Sequence, residues 1–342
     1  MKIKVHKLAS VVYRLGLPTE IEISRMVEAR TGNVLVVRAL EEKRVYDVLE
    51  LTTGRMAHIS QGDVIVGALG SRAALRGFCG RVPEKLAAGD RIHILNLGGV
   101  LGECTSENSD VGKPLTVEVL GMAARDGGKP WNIADRAIPA ASRLNLPCPV
   151  VMVNGTCMNS GKTRAAVEII FHLTQRGYRV AAAKLTGVAA LRDQLNMLDH
   201  GAVAALSFLD CGLPSTSAGG DLPAVAKGIL NALAAEEPDV VVAETGDGII
   251  GSYGVATLLR DEELRKAARC HVLSANDLVA AWGGAKIMRE ALGLDVGVMV
   301  GPATDNEVGE RYVTDDLKIP AANARTSGSR LADLVETRTF SR

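Results

Sequence analysis

Residues 150–163 constrain the fold most, because an apolar run, a glycine-bounded loop and a lysine–threonine pair follow one another directly. Residues 150–153 (VVMV) have the length of a short buried strand, and the sequence GTCMNSGKT begins at Gly155. Glycine at both ends of the loop lets the backbone turn its N–H groups inward. A helix that begins near Gly161 would direct its positive end to the same point. The segment therefore predicts a strand, an anion-binding loop and a helix.

The end of this loop has the chemistry of a polyphosphate site. Lys162 would place its ammonium group on the phosphates, and the Thr163 hydroxyl would ligate Mg²⁺. The usual pattern, G-x-x-x-x-G-K-[ST], would have its first glycine at position 156, but here the glycine stands one residue earlier. The alternative interpretation is an ordinary helix start at Gly-Lys-Thr, and the preceding buried strand argues against it. The other predicted binding residues of the loop are Gly155, Thr156, Asn159, Ser160 and Gly161.

Strand and helix patterns alternate after Pro149. Apolar runs predict strands over 150–153, 180–184, 240–243, 271–274 and 296–300, and a sixth strand and turn over 319–325. Helices are expected over 162–176, 191–200, 223–235, 261–268 and 277–292. Such alternation favours parallel pairing with helices on both faces of the sheet. Residues 149–342 are therefore predicted to form a doubly wound α/β domain of the P-loop type.

The N-terminal third of the chain has a different pattern. Residues 1–120 contain short apolar runs between glycine-rich turns, which predicts a small β-barrel or sandwich, with one early helix over 20–29. Residues 121–148 are interrupted by glycine and proline and are predicted to be a linker. The sequence thus predicts a β-rich domain, a linker and an α/β domain.

Gly-Thr, four variable residues and Gly-Lys-Thr together resemble the loop of dethiobiotin synthetases. The loop is also similar to that of a family of P-loop acyltransferases that modify D-glutamate, which begins Gly-Thr-Asp-Cys. Both families belong to the branch of P-loop proteins that includes MinD-like ATPases and metal-centre GTPases. The resemblance covers roughly residues 149–325, and the N-terminal domain has no counterpart in a dethiobiotin synthetase.

The resemblance implies further site residues. The second strand of the synthetases ends in a lysine that contacts substrate and transferred phosphate, which corresponds to Lys184; a solvated strand-end lysine is the alternative. Their third strand ends in a glutamate that helps to hold Mg²⁺, which corresponds to Glu244. Asp193 matches a metal-linked acidic position, and a helix N-terminal acid explains it nearly as well. Asn306 and Asn323 are candidates for contacts with the base of the nucleotide.

Two departures from these families limit the assignment. Cys157 stands where the synthetases have aspartate and where MinD-type ATPases have a lysine that reaches a partner, so biotin synthesis and that mode of activation are not expected. Residues 274–277 (SAND) lack the lysine of the guanine-binding pattern Asn-Lys-x-Asp, which favours ATP over GTP.

The composition of the chain narrows the classes of partner and the cellular location that we expect. Lys+Arg and Asp+Glu both number 39, so no net charge attracts the chain to nucleic acid or to an anionic membrane. No run approaches the ~20 apolar residues of a membrane span, and residues 1–6 lack the apolar core of a signal peptide. The six cysteines form no CxxC pair, which fits reduced thiols in a cytoplasmic protein. A homodimer is left open.

These observations predict an ATP- and Mg²⁺-dependent enzyme, similar to a ligase or synthetase, that activates a small acid or carbamate by phosphoryl transfer. Lys162, Lys184 and Glu244 are its predicted catalytic residues, and Thr163, Glu244 and Asp193 its predicted metal ligands. Two alternatives remain: an acyltransferase whose loop binds acyl-CoA, and a nucleotide-gated switch or chaperone whose β-domain binds a partner.

Overall fold

The computed structural model describes residues 1–341, so Arg342, the last residue of the predicted α/β domain, lies outside it. The chain has mixed α/β structure and forms two compact units. The first contains Met1–Ile138, Val188–Arg192 and Phe208–Ala218, and the second contains the remaining described residues. The predicted boundaries at 120 and 149 stay a prediction.

The first unit is built on twelve strands. They are β1 (Lys2–Lys4), β2 (Lys7–Leu8), β3 (Glu20–Ser24), β4 (Val34–Ala39), β5 (Val48–Glu50), β6 (Met56–His58), β7 (Val64–Leu69), β8 (Arg72–Ala73), β9 (Phe78–Arg81), β10 (Arg91–Ile94), β11 (Val100–Glu107) and β12 (Leu115–Ala124). Ten of them form one sheet, in which only the pairs β7–β11 and β2–β7 are parallel. The pairs β12–β4, β4–β7, β7–β11, β11–β10 and β10–β12 make a closed circuit.

The early helix predicted over 20–29 is wrong. Residues Glu20–Ser24 form β3, in which Ile21 and Ile23 are buried and Glu20 and Glu22 are exposed. This alternation has the two-residue period of a strand, and it outweighs the helix propensity of glutamate. Three short 3₁₀ segments also belong to this unit: Ser10–Leu15, Asp126–Gly128 and Ile133–Arg136.

Two buried carboxylates of the first unit depend on its later segments. Glu50 is fully buried and accepts hydrogen bonds from the Leu191 N–H at 2.6 Å, from the Arg192 N–H at 2.7 Å and from the Ser10 hydroxyl. The fully buried Asp210 forms an ion pair with Arg14 at 2.7 Å. A buried carboxylate is costly unless it is hydrogen-bonded, so these contacts fix the segments within the unit.

The second unit contains a six-stranded, entirely parallel sheet. Its strands are β13 (Val150–Gly155), β14 (Val180–Lys184), β15 (Ala205–Ser207), β16 (Val240–Glu244), β17 (Ala268–Ser274) and β18 (Val298–Val300), in the order β15-β14-β16-β13-β17-β18. The sixth strand is β15, which was not predicted, whereas residues 319–325 contribute only an isolated bridge between Met299 and Ala321. The central strand β13 leads directly into the glycine-bounded loop.

Eight α-helices accompany these strands among the described residues. They are α1 (Lys162–Gln175), α2 (Arg192–Asp199), α3 (Leu222–Ala234), α4 (Val255–Arg260), α5 (Glu262–Ala267), α6 (Leu278–Lys286), α7 (Glu307–Arg311) and α8 (Gly328–Phe340). The π-helical segments Ile287–Ala291 and Tyr312–Asp316 continue α6 and α7. The helix predicted over 261–268 is α5, and α4, α7 and α8 were not predicted.

Apolar side chains cover both faces of the parallel sheet. Val272 packs into a core with residues of α1 and α8, whereas its neighbour Leu273 packs into a second core with residues of α4 and α6. Successive residues of a strand point to opposite faces, so this division shows that helices bury the sheet from both sides. Within residues 1–341, no helix combines the length and apolar character needed to cross a membrane.

Candidate functional site

The loop between β13 and α1 is shaped by its two glycines. Gly161 has a φ of +97°, which favours glycine, and it stands immediately before the first residue of α1. A Cβ at Gly155 would lie 2.6 Å from the Lys162 Cδ atom. The close passage of the lysine side chain over the start of the loop therefore requires glycine at position 155.

The amides of the loop are available to a ligand. Within the described chain, the N–H groups of residues 157–161 donate no hydrogen bond to a backbone carbonyl. The loop is held instead by Ser274 at the end of β17: its carbonyl accepts from the Thr156 N–H at 2.9 Å, and its hydroxyl donates to the Ser160 carbonyl. The hydroxyl oxygens of Thr156 and Ser160 are buried, and neither has a hydrogen-bond partner in the part of the chain that the structure describes. Such groups favour an acceptor-rich ligand, and an anion fits them.

Lys162 points back over this loop. The residue is buried, with 6% of its surface exposed, and its ammonium group donates to the Cys157 carbonyl at 2.7 Å. Burial, together with the positive charge of Lys184, lowers the pKa of Lys162 to about 8, although Glu244 and Asp247 partly oppose this shift. A buried ammonium whose main partner is a neutral carbonyl is poorly compensated, so an arriving anion would stabilise it.

A second group of charges lies at the ends of β14 and β16. The Glu244 Oε1 atom accepts from Thr163 Oγ1 at 2.9 Å and from Lys184 Nζ at 2.5 Å. Lys184 Nζ also lies 2.9 Å from Oδ2 of Asp193, in the first turn of α2. Burial disfavours the charge of Lys184, but the two carboxylates outweigh it and raise the pKa of Lys184. The structure thus brings together four residues that the sequence singled out.

The second carboxylate oxygen of Glu244, Oε2, has a different environment from Oε1. Oε2 finds no hydrogen-bond partner among the described residues, and the Glu244 residue is only 1% exposed. With the Thr163 hydroxyl beside it, this donor set consists of oxygen atoms, which Mg²⁺ prefers. Within the described residues, no group of three or more His, Cys, Asp or Glu side chains is placed to hold a metal. The residues present therefore fit a cation that takes most of its ligands from water or substrate.

The two predicted base-contacting asparagines have structural partners. Asn306 caps α7, with its side-chain oxygen accepting from the N–H groups of Val308 and Gly309. Asn323 donates to the Thr304 carbonyl at 3.1 Å and to Asp305 Oδ1 at 2.7 Å. Either asparagine would have to share or exchange a partner to contact a base.

Two residues beside the loop were not among the predicted site residues. Asn276 donates to the sulfur of Cys157 at 2.9 Å. Asp247 is half-buried in the turn after β16, and its pKa is raised by burial, while Lys162 and the N–H groups of Gly248 and Met158 act in the opposite direction. The signal for Asp247 was its position between two glycines after a strand, which indicates a tightly fitted turn.

No family model matches this chain, and no curated protein matches it. Solved structures give partial similarities. Chloroplast FtsY from Physcomitrella patens is 18% identical over 55% of this chain and 62% of that one, with a TM-score of 0.38. The 54 kDa signal recognition particle protein of Aeropyrum pernix, in complex with GDP, is 17% identical over 56% and 49%, with a TM-score of 0.38. A DUF1611 family protein from Anabaena variabilis is 15% identical over 62% and 65%, with a TM-score of 0.40.

This chain therefore spans less than two thirds of each of these three structures. At this identity and overlap, the similarities assign the chain to no family, and the candidate site rests on its own geometry.

Proposed function

We propose that the loop of residues 155–163 binds a nucleoside triphosphate, ATP, together with Mg²⁺, and that the enzyme activates a small acid by phosphoryl transfer, as ligases and synthetases do. The single observation that carries the proposal is the pairing of a buried, poorly compensated Lys162 with loop amides that have no backbone acceptor. A polyphosphate would satisfy both.

Different residues of the chain have different roles in the proposed reaction. The loop N–H groups and Lys162 bind the phosphates and stabilise the negative charge that develops on the transferred group. Thr163 and Glu244 would hold Mg²⁺, which supplies charge neutralisation when it is bound. Asp193 accepts from Lys184, so it orients that ammonium group at the end of the parallel strands, where ligands bind in open α/β sheets.

Other expectations belong to the same proposal. The closed circuit of strand pairs in the first unit supports the predicted small barrel. A cytoplasmic location and a homodimer remain compatible with the balanced charge of the chain.

Calorimetric titration with ATP tests the proposal, with and without Mg²⁺, on the wild-type protein and the Lys162→Ala variant. We expect Lys162→Ala to lower ATP affinity at least tenfold, because the variant loses the charge that would face the phosphates. Lys286→Ala is the matched control, since that lysine is 49% exposed on α6 and should leave the affinity unchanged. Equal ATP affinity in Lys162→Ala and wild type would overturn the proposal.

Release of inorganic phosphate in the presence of candidate small carboxylic acids separates the ligase-like reaction from simple hydrolysis. Turnover that rises with an acid supports activation of that acid. Tight binding of acetyl-CoA without ATP turnover would favour the acyltransferase interpretation instead.

A further inference from the structure

Arg72 is a buried cation whose partners are neutral. It belongs to β8 in the first unit, and only 6% of the residue is exposed. Its Nη1 atom donates to the Leu95 carbonyl, and its Nη2 atom donates to the Tyr46 hydroxyl at 3.3 Å. Among the side chains that the structure describes, Arg72 forms no ion pair with a carboxylate. A buried charge without a counter-ion is costly, so an anion would stabilise this guanidinium group.

The guanidinium group of Arg72 also has an edge that is largely unused. Of the five N–H groups that a guanidinium carries, these bonds use one on Nη1 and one on Nη2. The Nε atom is buried, and it finds no hydrogen-bond partner within residues 1–341. The N–H groups of Nε and Nη2 lie along one edge, which matches the two oxygens of a carboxylate. Only the Tyr46 hydroxyl occupies part of that edge.

Gly77 keeps the Nη2 side of the guanidinium group clear of side chains. A Cβ at position 77 would lie 2.7 Å from Arg72 Nη2 and 3.1 Å from its Cζ atom. The end of the arginine side chain could move away from such a contact, but it would then leave the Leu95 carbonyl. Glycine at position 77 therefore preserves both the place of the guanidinium group and the space beside it.

A second cation borders the same pair of aromatic rings. The ring centroids of Tyr46 and Phe78 are 5.1 Å apart, and the guanidinium carbon of Arg72 lies 5.5 Å and 5.9 Å from them. The Lys43 ammonium lies 5.4 Å from the Phe78 centroid and donates to two backbone carbonyls. The carboxylate of Glu41, in the same connection, is bonded to a backbone N–H instead. Two cations beside two rings favour an anionic group with an apolar body.

The segment that covers Arg72 has no regular structure. Lys43 and Tyr46 belong to residues 40–47, which connect β4 to β5 without a helix or a strand. Tyr46 has a φ of +57°, a conformation that bulky residues seldom adopt and that persists only where the surrounding structure enforces it. A movement of Tyr46 off the guanidinium group would allow its backbone to relax. The Tyr46 hydroxyl is therefore a partner that a ligand can replace.

We propose that the first unit contains a binding site for the carboxylate of a small organic acid, in which the Nε and Nη2 N–H groups of Arg72 hold the two carboxylate oxygens. The carboxylate replaces the Tyr46 hydroxyl, and residues 40–47 move to admit it. The one negative charge of the acid matches the one charge of Arg72, and Lys43 adds a second favourable charge nearby. The site takes no residue from the phosphate loop, so nucleotide binding can fail while this site stands.

Thermal unfolding in sodium acetate, compared with sodium chloride at equal ionic strength, tests the site. Acetate is a minimal probe for the carboxylate, and a ligand that binds only the folded protein raises Tm. We expect the Tm of wild type to be about 2–4 °C higher in about 100 mM acetate than in chloride, as for a dissociation constant on the order of 10 mM. Arg72→Met should lose this rise. Arg72→Lys keeps the charge but not the two-donor edge, so it should lose the rise even if the methionine variant does not fold.

Two further variants separate binding from a structural role of Arg72. Tyr46→Phe keeps the ring but removes the hydroxyl that acetate must replace, so its rise should equal or exceed that of wild type. Arg81→Met is the matched control, because Arg81 lies in the neighbouring strand β9 with a side chain that is 64% exposed. This control should keep the wild-type rise in acetate.

The absence of an acetate-specific rise in wild type would overturn the proposal and leave Arg72 a structural residue. A rise of equal size in the folded Arg72 variants would also overturn it, because acetate would then act elsewhere. A rise that Tyr46→Phe loses would contradict the replacement of the hydroxyl. A larger Arg72-dependent rise in sodium phosphate at the same ionic strength would overturn the choice of a carboxylate.

Discussion

The ammonium group of Lys184 joins two carboxylates from different elements: it lies 2.5 Å from Oε1 of Glu244 and 2.9 Å from Oδ2 of Asp193. The single positive charge of Lys184 therefore pairs with two carboxylates. Oε2 of Glu244 has no hydrogen-bond partner among the described residues, so it is available to ligate a further cation. Lys184, Glu244 and Asp193 together carry one net negative charge, which a bound cation would offset. Substitutions at Glu244 should therefore affect metal dependence as well as stability.

The Glu244→Gln variant should lose the Mg²⁺-dependent part of ATP binding. Glutamine keeps the side-chain shape but removes the charge, so Lys184 keeps only one carboxylate. We expect a loss of about 3 kcal/mol in the free energy of unfolding, since breaking a buried ion pair leaves a charge poorly compensated. Titration with and without Mg²⁺ measures the first effect, and urea unfolding measures the second.

Asp333→Asn supplies the control for that experiment. Its carboxylate pairs with Arg176 at 2.6 Å, but the Asp333 side chain is 64% exposed. Exposed pairs contribute less than about 1 kcal/mol, so stability and Mg²⁺ dependence should both stay near wild type. A Glu244→Gln protein that still binds ATP more tightly with Mg²⁺ would contradict the assignment of this carboxylate.

The lowered pKa of Lys162 predicts a pH dependence of stability. Its folded value of about 8 lies below the ordinary 10.5, so between these values the unfolded chain binds more protons than the folded one. Stability linked to this group therefore rises as pH increases from about 8 to 10.5. Lys162→Met should be more stable than wild type at pH 7, by on the order of 3 kcal/mol.

Urea unfolding of both proteins between pH 7 and 10.5 measures that difference. The advantage of Lys162→Met should shrink as pH rises, because the wild-type lysine becomes neutral in the fold. Lys286→Met, at an exposed position, should show no such trend. A difference that stays constant over this range would contradict a lowered pKa at Lys162.

Gly248→Ala should disturb the phosphate loop through contact alone. The added methyl group would lie 2.5 Å from the Thr156 carbonyl oxygen, which belongs to the backbone and cannot move aside independently. We expect ATP affinity to fall roughly tenfold or more, because displaced amides no longer converge on the phosphates. Calorimetric titration measures this change.

Gly283→Ala is the matched glycine substitution. Nothing lies within 4 Å of a Cβ at this position of α6. Alanine is favoured over glycine in a helix by roughly 0.5–1 kcal/mol, so this variant should be slightly more stable and should bind ATP normally. Similar losses of affinity in both variants would show that the Gly248 contact is not the cause.

The sequence identified those parts of the site that follow from strand order. The resemblance to dethiobiotin synthetases singled out Lys184 and Glu244 at the ends of the second and third strands, and parallel strands bring such ends to one edge of the sheet. In the structure, the Lys184 ammonium donates to Glu244 Oε1 at 2.5 Å, so these two strand ends do lie together. The strand β13 and the helix α1 were likewise predicted from an apolar run and a glycine–lysine start.

Other features depend on tertiary contacts that no local pattern reveals. The turn that carries Asp247 packs against the Thr156 backbone through Gly248, and the neighbours of Asp247 in sequence give no sign of that contact. The short strand β15 has only three residues, too few for a periodic signal. The full engagement of Asn323 likewise comes from Thr304 and Asp305, which belong to a different loop.

The placement of residues 188–192 and 208–218 in the first unit affects how this protein can be divided. A polypeptide that stopped at residue 120 would lack the two N–H donors of Glu50 and would lack Asp210, the ion-pair partner of Arg14. We therefore expect a fragment of residues 1–120 to fold poorly, because the buried Glu50 carboxylate and the Arg14 guanidinium would lose these partners. A truncated or chimeric protein that is meant to keep the first unit would therefore need residues 188–192 and 208–218 as well as residues 1–138.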